Sequence, residues 1–160
     1  MSDINIRPAT EGDCRLILQF IIELAVYEKL EDEVVATEND IRDSLFGENT
    51  VARAVICEIE GEPVGFAFYF YNHSTWLGKK GLYLEDLYVT PAARGKGAGQ
   101  RLLSHLARIA VENDCGRFEW SVLDWNELAI NFYKNLGARP MDGWIGYRLT
   151  GKALRDLADS

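Results

Sequence analysis

A chain of 160 residues is of single-domain length and can bury about two thirds of the surface its unfolded form exposes. At 48% hydrophobic and 26% charged, with four prolines, it is neither a disordered chain nor a collagen or disulfide scaffold. A net charge of −8 at pH 7 and a pI near 4.8 argue against a surface that grips phosphate backbones, so no nucleic-acid partner is expected.

The predicted elements begin with a short strand over Ile4 to Arg7, stopped at Pro8, which has no N–H for a ladder. Thr10-Glu11-Gly12-Asp13 has capping-box spacing and opens a helix whose apolar stripe is Cys14, Ile17, Leu18, Ile21, Leu24 and Ala25. Thr37-Glu38-Asn39-Asp40 repeats the signal ahead of Ile41, Leu45 and Phe46, and Gly47 closes this second helix. Val51 to Ile59 and Val64 to Tyr71 are β-branched and aromatic runs joined by Glu60-Gly61-Glu62-Pro63, the pattern of an antiparallel hairpin.

From Asn72 to Gly81 the pattern breaks into small and polar residues around Trp76, which predicts a loop before the strand Leu82 to Val89. After Pro91 the turn Arg94-Gly95-Lys96-Gly97-Ala98-Gly99 opens a helix facing inward through Leu102, Leu103, Leu106, Ala107 and Ala110, and Cys115-Gly116 ends it. A strand over Phe118 to Leu123, a helix over Asn126 to Leu136 ended by Gly137, a strand over Trp144 to Leu149 and a short terminal helix complete the chain. The elements make one α+β domain on a mixed sheet.

Cys14, Cys57 and Cys115 lie far apart with no C-x-x-C pair, so they are expected as reduced thiols, with no metal site implied. Met1 to Thr10 has no basic-then-apolar leader and no apolar run reaches the about 20 residues of a membrane span, which predicts a cytoplasmic protein with no membrane partner. His73 and His105 are expected at the surface without a catalytic role.

The chemistry is expected where a strand runs into Arg94, Gly95, Lys96, Gly97, Ala98 and Gly99 and then into a helix. Small residues let the backbone approach an anion, and the unpaired N–H groups of a helix start face it. A tight structural turn is the alternative use of the same glycines. The Gly-Lys-Ser/Thr ending of a P-loop is absent, and the turn comes too late in the chain for a dinucleotide fold.

Arg94, Gly97 and Gly99 match the Arg/Gln-x-x-Gly-x-Gly/Ala motif that binds the acetyl-CoA pyrophosphate in GNAT acetyltransferases. The blocks Arg7-Pro8-Ala9-Thr10, Glu23-Leu24-Ala25, Tyr27-Glu28, Leu82 to Leu87, Trp125-Asn126 and Asn131-Phe132-Tyr133-Lys134 resemble, nearly end to end, the diamine (spermidine/spermine) acetyltransferases of that superfamily. The resemblance implies a GNAT fold, a mixed and mostly antiparallel sheet flanked by helices, over a single domain 1–160. It also implies acetyl-CoA as cosubstrate, no metal, a small-molecule amine as acceptor and a homodimer.

In such a reaction a primary amine attacks the acetyl thioester directly, in a ternary complex, and the CoA thiolate leaves. With a lysine-like pKa, only about one amine in 10³ is free base at neutral pH, a cost of about 4.6 kcal/mol, so a proton acceptor is needed. Glu85 resembles the family's glutamate that takes this proton; a solvated strand carboxylate is the alternative. A regular pleat would send Glu85 and Asp86 to opposite faces, and only a bulge would aim both at one cleft. Tyr133 resembles the tyrosine that protonates the leaving thiolate, against the alternative of a ring packed on the stripe Ala129, Ile130, Tyr133 and Leu136. Asn126 reads as a helix N-cap, and by resemblance also lies near the CoA arm. By resemblance the backbone of Leu87 and Val89 meets the pantetheine amides as an added strand would, and Arg94 meets phosphate.

For the acceptor, Glu23 to Asp40 carries seven acids against Lys29, a stretch that would attract a polycation or simply be solvated. Glu28 resembles an amine-contacting glutamate, Asp86 joins Glu85 on the substrate side, and Trp76 offers an aromatic wall or ordinary packing. In the spermidine/spermine enzymes an acidic residue stands two before the loop tryptophan, where this chain has Ser74, which puts recognition of a distal ammonium in question. The expected activity is N-acetylation of a polyamine or diamine. The alternatives are an amino acid such as thialysine or lysine, a protein lysine, or a non-catalytic acyl-CoA-binding module.

Overall fold

The computed structural model describes residues 3–160. Its elements run β1 (Ile4–Pro8), α1 (Cys14–Tyr27), α2 (Glu38–Phe46), β2 (Ala52–Ile59), β3 (Glu62–Ser74), β4 (Lys79–Val89), α3 (Ala98–Glu112), β5 (Phe118–Trp120), α4 (Glu127–Asn135) and α5 (Gly151–Ala158). The chain divides into two compact units, one ending at Ser121 and the other Val122–Ser160. The first holds a five-stranded sheet in the order β1-β2-β3-β4-β5, antiparallel except where β5 joins β4 in parallel.

Local chemistry starts the helices as the sequence predicts. Thr10 N donates to Asp13 Oδ2 at 2.7 Å in the 3-10 turn that leads into α1, and Thr37 Oγ1 accepts from Asp40 N at 3.2 Å at the start of α2. Asp13 is held as well by Arg7, whose guanidinium donates to it at 2.8 Å and to Glu58 at 3.1 Å, tying β1, α1 and β2 together. The Arg7 hydrogen bonds keep the Asp13 carboxyl below its usual range against the opposing effect of burial.

Buried residues of both parities on β2, Val55 and Cys57 against Ala54 and Ile56, show that both sheet faces are covered. Cys14, Ile17, Phe20, Ile41 and Leu45 of α1 and α2 pack on Ala54, Ile56, Phe66 and Tyr88, with the Phe20 and Phe66 rings 5.8 Å apart. The α3 stripe, Leu102, Leu103, Leu106 and Ala110, is buried, and α3 packs on β4, β1 and β3. Each fully buried leucine contributes about 2–3 kcal/mol.

Three elements differ from the sequence expectation. The hairpin β3–β4 continues through Asn72↔Gly81, His73↔Lys80 and Ser74↔Lys79, so the predicted loop Asn72 to Gly81 shrinks to residues 75–78. Cross-strand pairing stabilises this polar ladder, with Lys80 Nζ 4.6 Å above the Tyr71 ring, and no apolar alternation announces it. Strand β5 covers Phe118–Trp120 rather than reaching Leu123, and Trp144 to Leu149 forms no ladder among the described residues. A β-rich composition records what could pair; a partner edge decides whether it does.

The β2–β3 turn is also tighter than Glu60 to Pro63. Glu60 and Gly61 alone form it, at φ 52° and 83°, and Ile59 pairs directly with Glu62. Two successive left-handed residues are what a two-residue hairpin turn requires.

Candidate active site

Strand β4 is regular against β3 except at one place. Asp86 pairs with Phe68 and Leu84 with Tyr69, which leaves Glu85 as an extra residue in the ladder. Cross-strand partners share a face, so Asp86 lies with Phe68 on the side of α1 and α2, and Leu84 lies with Tyr69 on the other. Glu85 lines a cleft with Phe68 and Phe70, so the two adjacent acids share that side. The bulge that Glu85 and Asp86 require if both are to face one cleft is therefore present.

The pair has distinct electrostatics. Glu85 is exposed, whereas Asp86 is largely withdrawn from solvent, and its carboxyl is pushed up to about 6, first by burial and then by the charges of Glu85 and Glu28. Glu28 follows α1, where Leu30 N bonds Ala25 O at 2.8 Å and Lys29 takes φ 60°, a left-handed helix ending. Burial raises the Glu28 carboxyl too. The structure thus brings Glu28, Glu85 and Asp86 into one electrostatic group, which a cation would relieve.

Beside it is an open cleft of about 470 Å³ between the end of α2, residues 48–51 and the sheet, lined among others by Asp43, Glu48, Thr50, Phe68, Phe70 and Glu85. Sequence reasoning missed Asp43, Glu48 and the two phenylalanines. The alternation Phe66, Phe68, Phe70 could have placed the rings on one face, but nothing local links α2 to that face. Trp76 sits in the β3–β4 turn and is 84% exposed. Ser74 is 4% exposed, its Oγ accepting from Leu77 N at 3.2 Å, so it serves the turn.

After β4 comes the glycine turn. Gly95 and Gly97 take φ 79° and 88°, and a Cβ on Gly95, Gly97 or Gly99 would meet nothing within 4 Å, so their backbone faces open space. Gly97 caps α3 with no side-chain cap bond, so the first N–H groups of the helix have no intrahelical acceptor. Arg94 lies over the rings of Tyr27 and Tyr88, 5.1 and 5.8 Å from their centroids, and its Nε donates to Val89 O at 3.2 Å. Strand β5 pairs with β4 only at Leu82 to Leu84, so from Glu85 through Leu87 to Val89 the ladder of β4 is with β3 alone. Such a one-sided edge can accept an extended amide chain.

In the second unit, Asn126 Oδ1 accepts from Ala129 N at 3.3 Å and caps α4, as its residue type predicts. Tyr133 lies on α4 with its ring 5.8 Å from that of Phe132. Gly137, at φ 90°, ends that helix.

A family model for the acetyltransferase (GNAT) family matches residues 19–138. The chain belongs to the GNAT acetyltransferase family. This acetyltransferase is 43% identical to the thialysine N-epsilon-acetyltransferase of Sus scrofa over 99% of both chains. It is 36% identical, over 99% of its own length and 24% of the other's, to the human spermidine/spermine N(1)-acetyltransferase-like protein 1. Among solved structures, an integron cassette protein of V. cholerae superposes with a TM-score of 0.82 at 31% identity over 98% of each chain. An aminoglycoside N-acetyltransferase in complex with CoA has the same fold, with a TM-score of 0.71 at 16% identity. The acetyltransferase is therefore an acetyl-CoA-dependent N-acetyltransferase with the GNAT fold. Among its described residues no helix is long and apolar enough to cross a membrane.

Proposed function

We propose that the enzyme transfers the acetyl group of acetyl-CoA to a primary amine of a small diamine- or polyamine-like substrate by direct attack in a ternary complex. The observation that carries this reading is the bulge at Glu85, which sets Glu85 beside Asp86 on one side of the sheet, Glu85 lining the cleft. Exposed Glu85 accepts the proton of the attacking amine, directly or through water. Asp86 and Glu28, whose carboxyls burial raises, gain most when a cationic amine arrives, because an opposite charge favours their ionised form. Trp76, in the β3–β4 turn and not among the residues lining this cleft, is assigned an aromatic wall for the substrate chain by likeness to the family alone.

Acetyl-CoA brings the activated acyl group. The turn Arg94 to Gly99, including Lys96 and Ala98, fits its diphosphate, since two left-handed glycines and an uncapped helix start leave N–H groups for an anion. Leu87 and Val89 lie on the one-sided stretch of β4, which suits the pantetheine amides. By likeness to the family's blocks, Asn126 borders the CoA arm and the Tyr133 phenol donates a proton to the leaving thiolate. The proton transfers need no metal. The same likeness supports one catalytic domain over 1–160 acting as a homodimer, and we place it in the cytoplasm as the sequence pattern suggests.

A second reading is favoured by the 43% identity to the Sus scrofa enzyme: an amino acid such as thialysine as acceptor. The test is CoA release with spermidine, putrescine, lysine, thialysine and a histone-tail peptide, for the wild type, Glu85→Gln and Tyr133→Phe. Turnover of one small amine, lowered about 10²-fold or more in both variants, is expected. Acetyl-CoA binding without turnover of any amine would leave a non-catalytic acyl-CoA module in its place.

A further inference from the structure

The cleft that opens at Glu85 is acidic again away from Glu85, and its lining alternates in chemistry. Its lining includes Glu85 at the β4 bulge, Phe68 and Phe70 on β3, Asp43 near the end of α2 and Glu48 in the following loop, and the strand order sets β3 between β4 and β2, on which α2 packs. We propose that Asp43 and Glu48 form a distal-cation subsite, binding the second ammonium of the acceptor while Phe68 and Phe70 pack on the methylenes between its two charges. This rests on Glu85 marking the reacting end, as the proposed function has it.

Three observations converge on it. First, among the described residues neither acid has a salt-bridge partner, and the adjacent cation is taken: Arg42, next to Asp43, is engaged by Glu38 at 3.3 Å and by Asn39 at 2.8 Å. Asp40 is likewise used up in capping α2, and Asp13 and Glu58 are held by Arg7. Asp43 and Glu48 are exposed to the cleft and enter no such contact. Second, with the two phenylalanines on the strand between Glu85 and the α2 side, the lining can complement ammonium, methylenes, ammonium, and an alkyl chain with a terminal cation suits an aromatic side chain. A cleft of about 470 Å³ is also within the size range of small-molecule sites, about 300–1,000 Å³. Third, Ser74, where the spermidine/spermine enzymes carry an acid, is buried in the β3–β4 turn and occupied by Leu77 N. That position offers no counter-charge, and the cleft offers two.

The charge pattern also makes a choice between the two acceptor classes. A free α-carboxylate at the distal end would stand against Asp43 and Glu48, so a diamine or polyamine is favoured over an amino acid, and esterifying the amino acid should improve it.

The test compares 1,4-diaminobutane with 1-aminobutane for the wild type and for the double variant Asp43→Asn, Glu48→Gln. At about 1 kcal/mol per solvent-exposed pair, each carboxylate is worth about fivefold, so the diamine-to-monoamine ratio of kcat/KM should fall at least about tenfold, chiefly through the diamine KM. Lysine methyl ester should be the better acceptor than lysine in the wild type, and the gap should narrow in the variant. Wild-type KM for the diamine should also rise with salt more steeply than for the monoamine, a readout that needs no variant to fold. A ratio unchanged within twofold, with equal salt dependence, overturns the subsite while leaving the proposed reaction standing. If the wild type turns over neither amine, the proposed reaction fails, and calorimetric binding of 1,4-diaminobutane decides the subsite alone: weaker binding by the double variant supports it, and equal binding overturns it.

Discussion

Glu85 and Asp86, adjacent in the chain, lie on the same side of the sheet because β4 has one more residue than β3 between its pairings to Phe68 and Tyr69. One inserted residue therefore converts an alternating strand into a paired-carboxylate site. The two acids remain unequal, since Glu85 is in solvent and Asp86 is half-buried beside it.

That inequality predicts a stability cost. The Asp86 carboxyl is raised to about 6 in the folded protein from 3.8. A group raised on folding favours the folded state below its unfolded value, and that advantage is lost as pH rises through the folded one. Asp86→Asn should therefore stabilise the protein at pH 7.5, by up to about 3 kcal/mol at 1.36 kcal/mol per unit, with the gain closing below about pH 4. Urea midpoints across that range measure it. Amine affinity should move the other way, with the wild-type KM rising as pH falls through about 6 and Asp86 takes up a proton.

The Arg7–Asp13 pair has the opposite sign. Its guanidinium keeps Asp13, 8% exposed, below the usual carboxylate range. A depressed carboxyl contributes stability above its unfolded pKa, lost as pH falls through the folded value. Arg7→Leu should cost about 2 kcal/mol at pH 7, because it strands a buried charge, and the penalty should shrink in acid below about pH 4. Thermal melts at both pH values follow it, and a pH-independent loss would assign the effect to packing instead.

Gly97 and Gly99 should respond differently to alanine. A Cβ meets nothing within 4 Å at either position, but Gly97 has φ 88° whereas Gly99 is in the first turn of α3. Gly97→Ala should cost about 1 kcal/mol through left-handed strain, and Gly99→Ala should be neutral or stabilising by up to about 1 kcal/mol. Both methyls stand where the proposed diphosphate approaches, so both variants should raise the acetyl-CoA KM. A stabilised Gly99→Ala with unchanged KM would move the phosphate elsewhere.

Asn126 separates capping from cofactor contact. Asn126→Ala loses the bond to Ala129 N and should cost about 1 kcal/mol, while Asn126→Asp keeps a cap acceptor and should restore stability. If the side chain also meets the CoA arm, Asn126→Asp still raises the acetyl-CoA KM, and a KM equal to wild type leaves only the cap.

Local signals carried most of the fold. The caps at Thr10, Thr37 and Asn126, the α3 stripe and the glycine turn after β4 are each decided by residues within a few positions of one another, and each stands where the sequence predicts it. The site was legible only through likeness to family motifs. Period-two alternation cannot register an extra residue, because the bulge exists in the pairing of Phe68 and Tyr69 with β4 and not in β4 itself. Nor could it bring Asp43 and Glu48 to the rings of Phe68 and Phe70, since that depends on how α2 packs on the sheet.

The sequence by itself determined the family, the order of most elements and the types of side chain available for amine chemistry, because composition, spacing and capping are local properties of the chain. Only the tertiary structure decided which acids share a face, that the polar stretch Asn72 to Gly81 mostly pairs while Trp144 to Leu149 forms no ladder, and that a second pair of carboxylates lines the Glu85 cleft. Strand pairing and helix docking join residues far apart in the chain, and their register follows from the partner each segment finds.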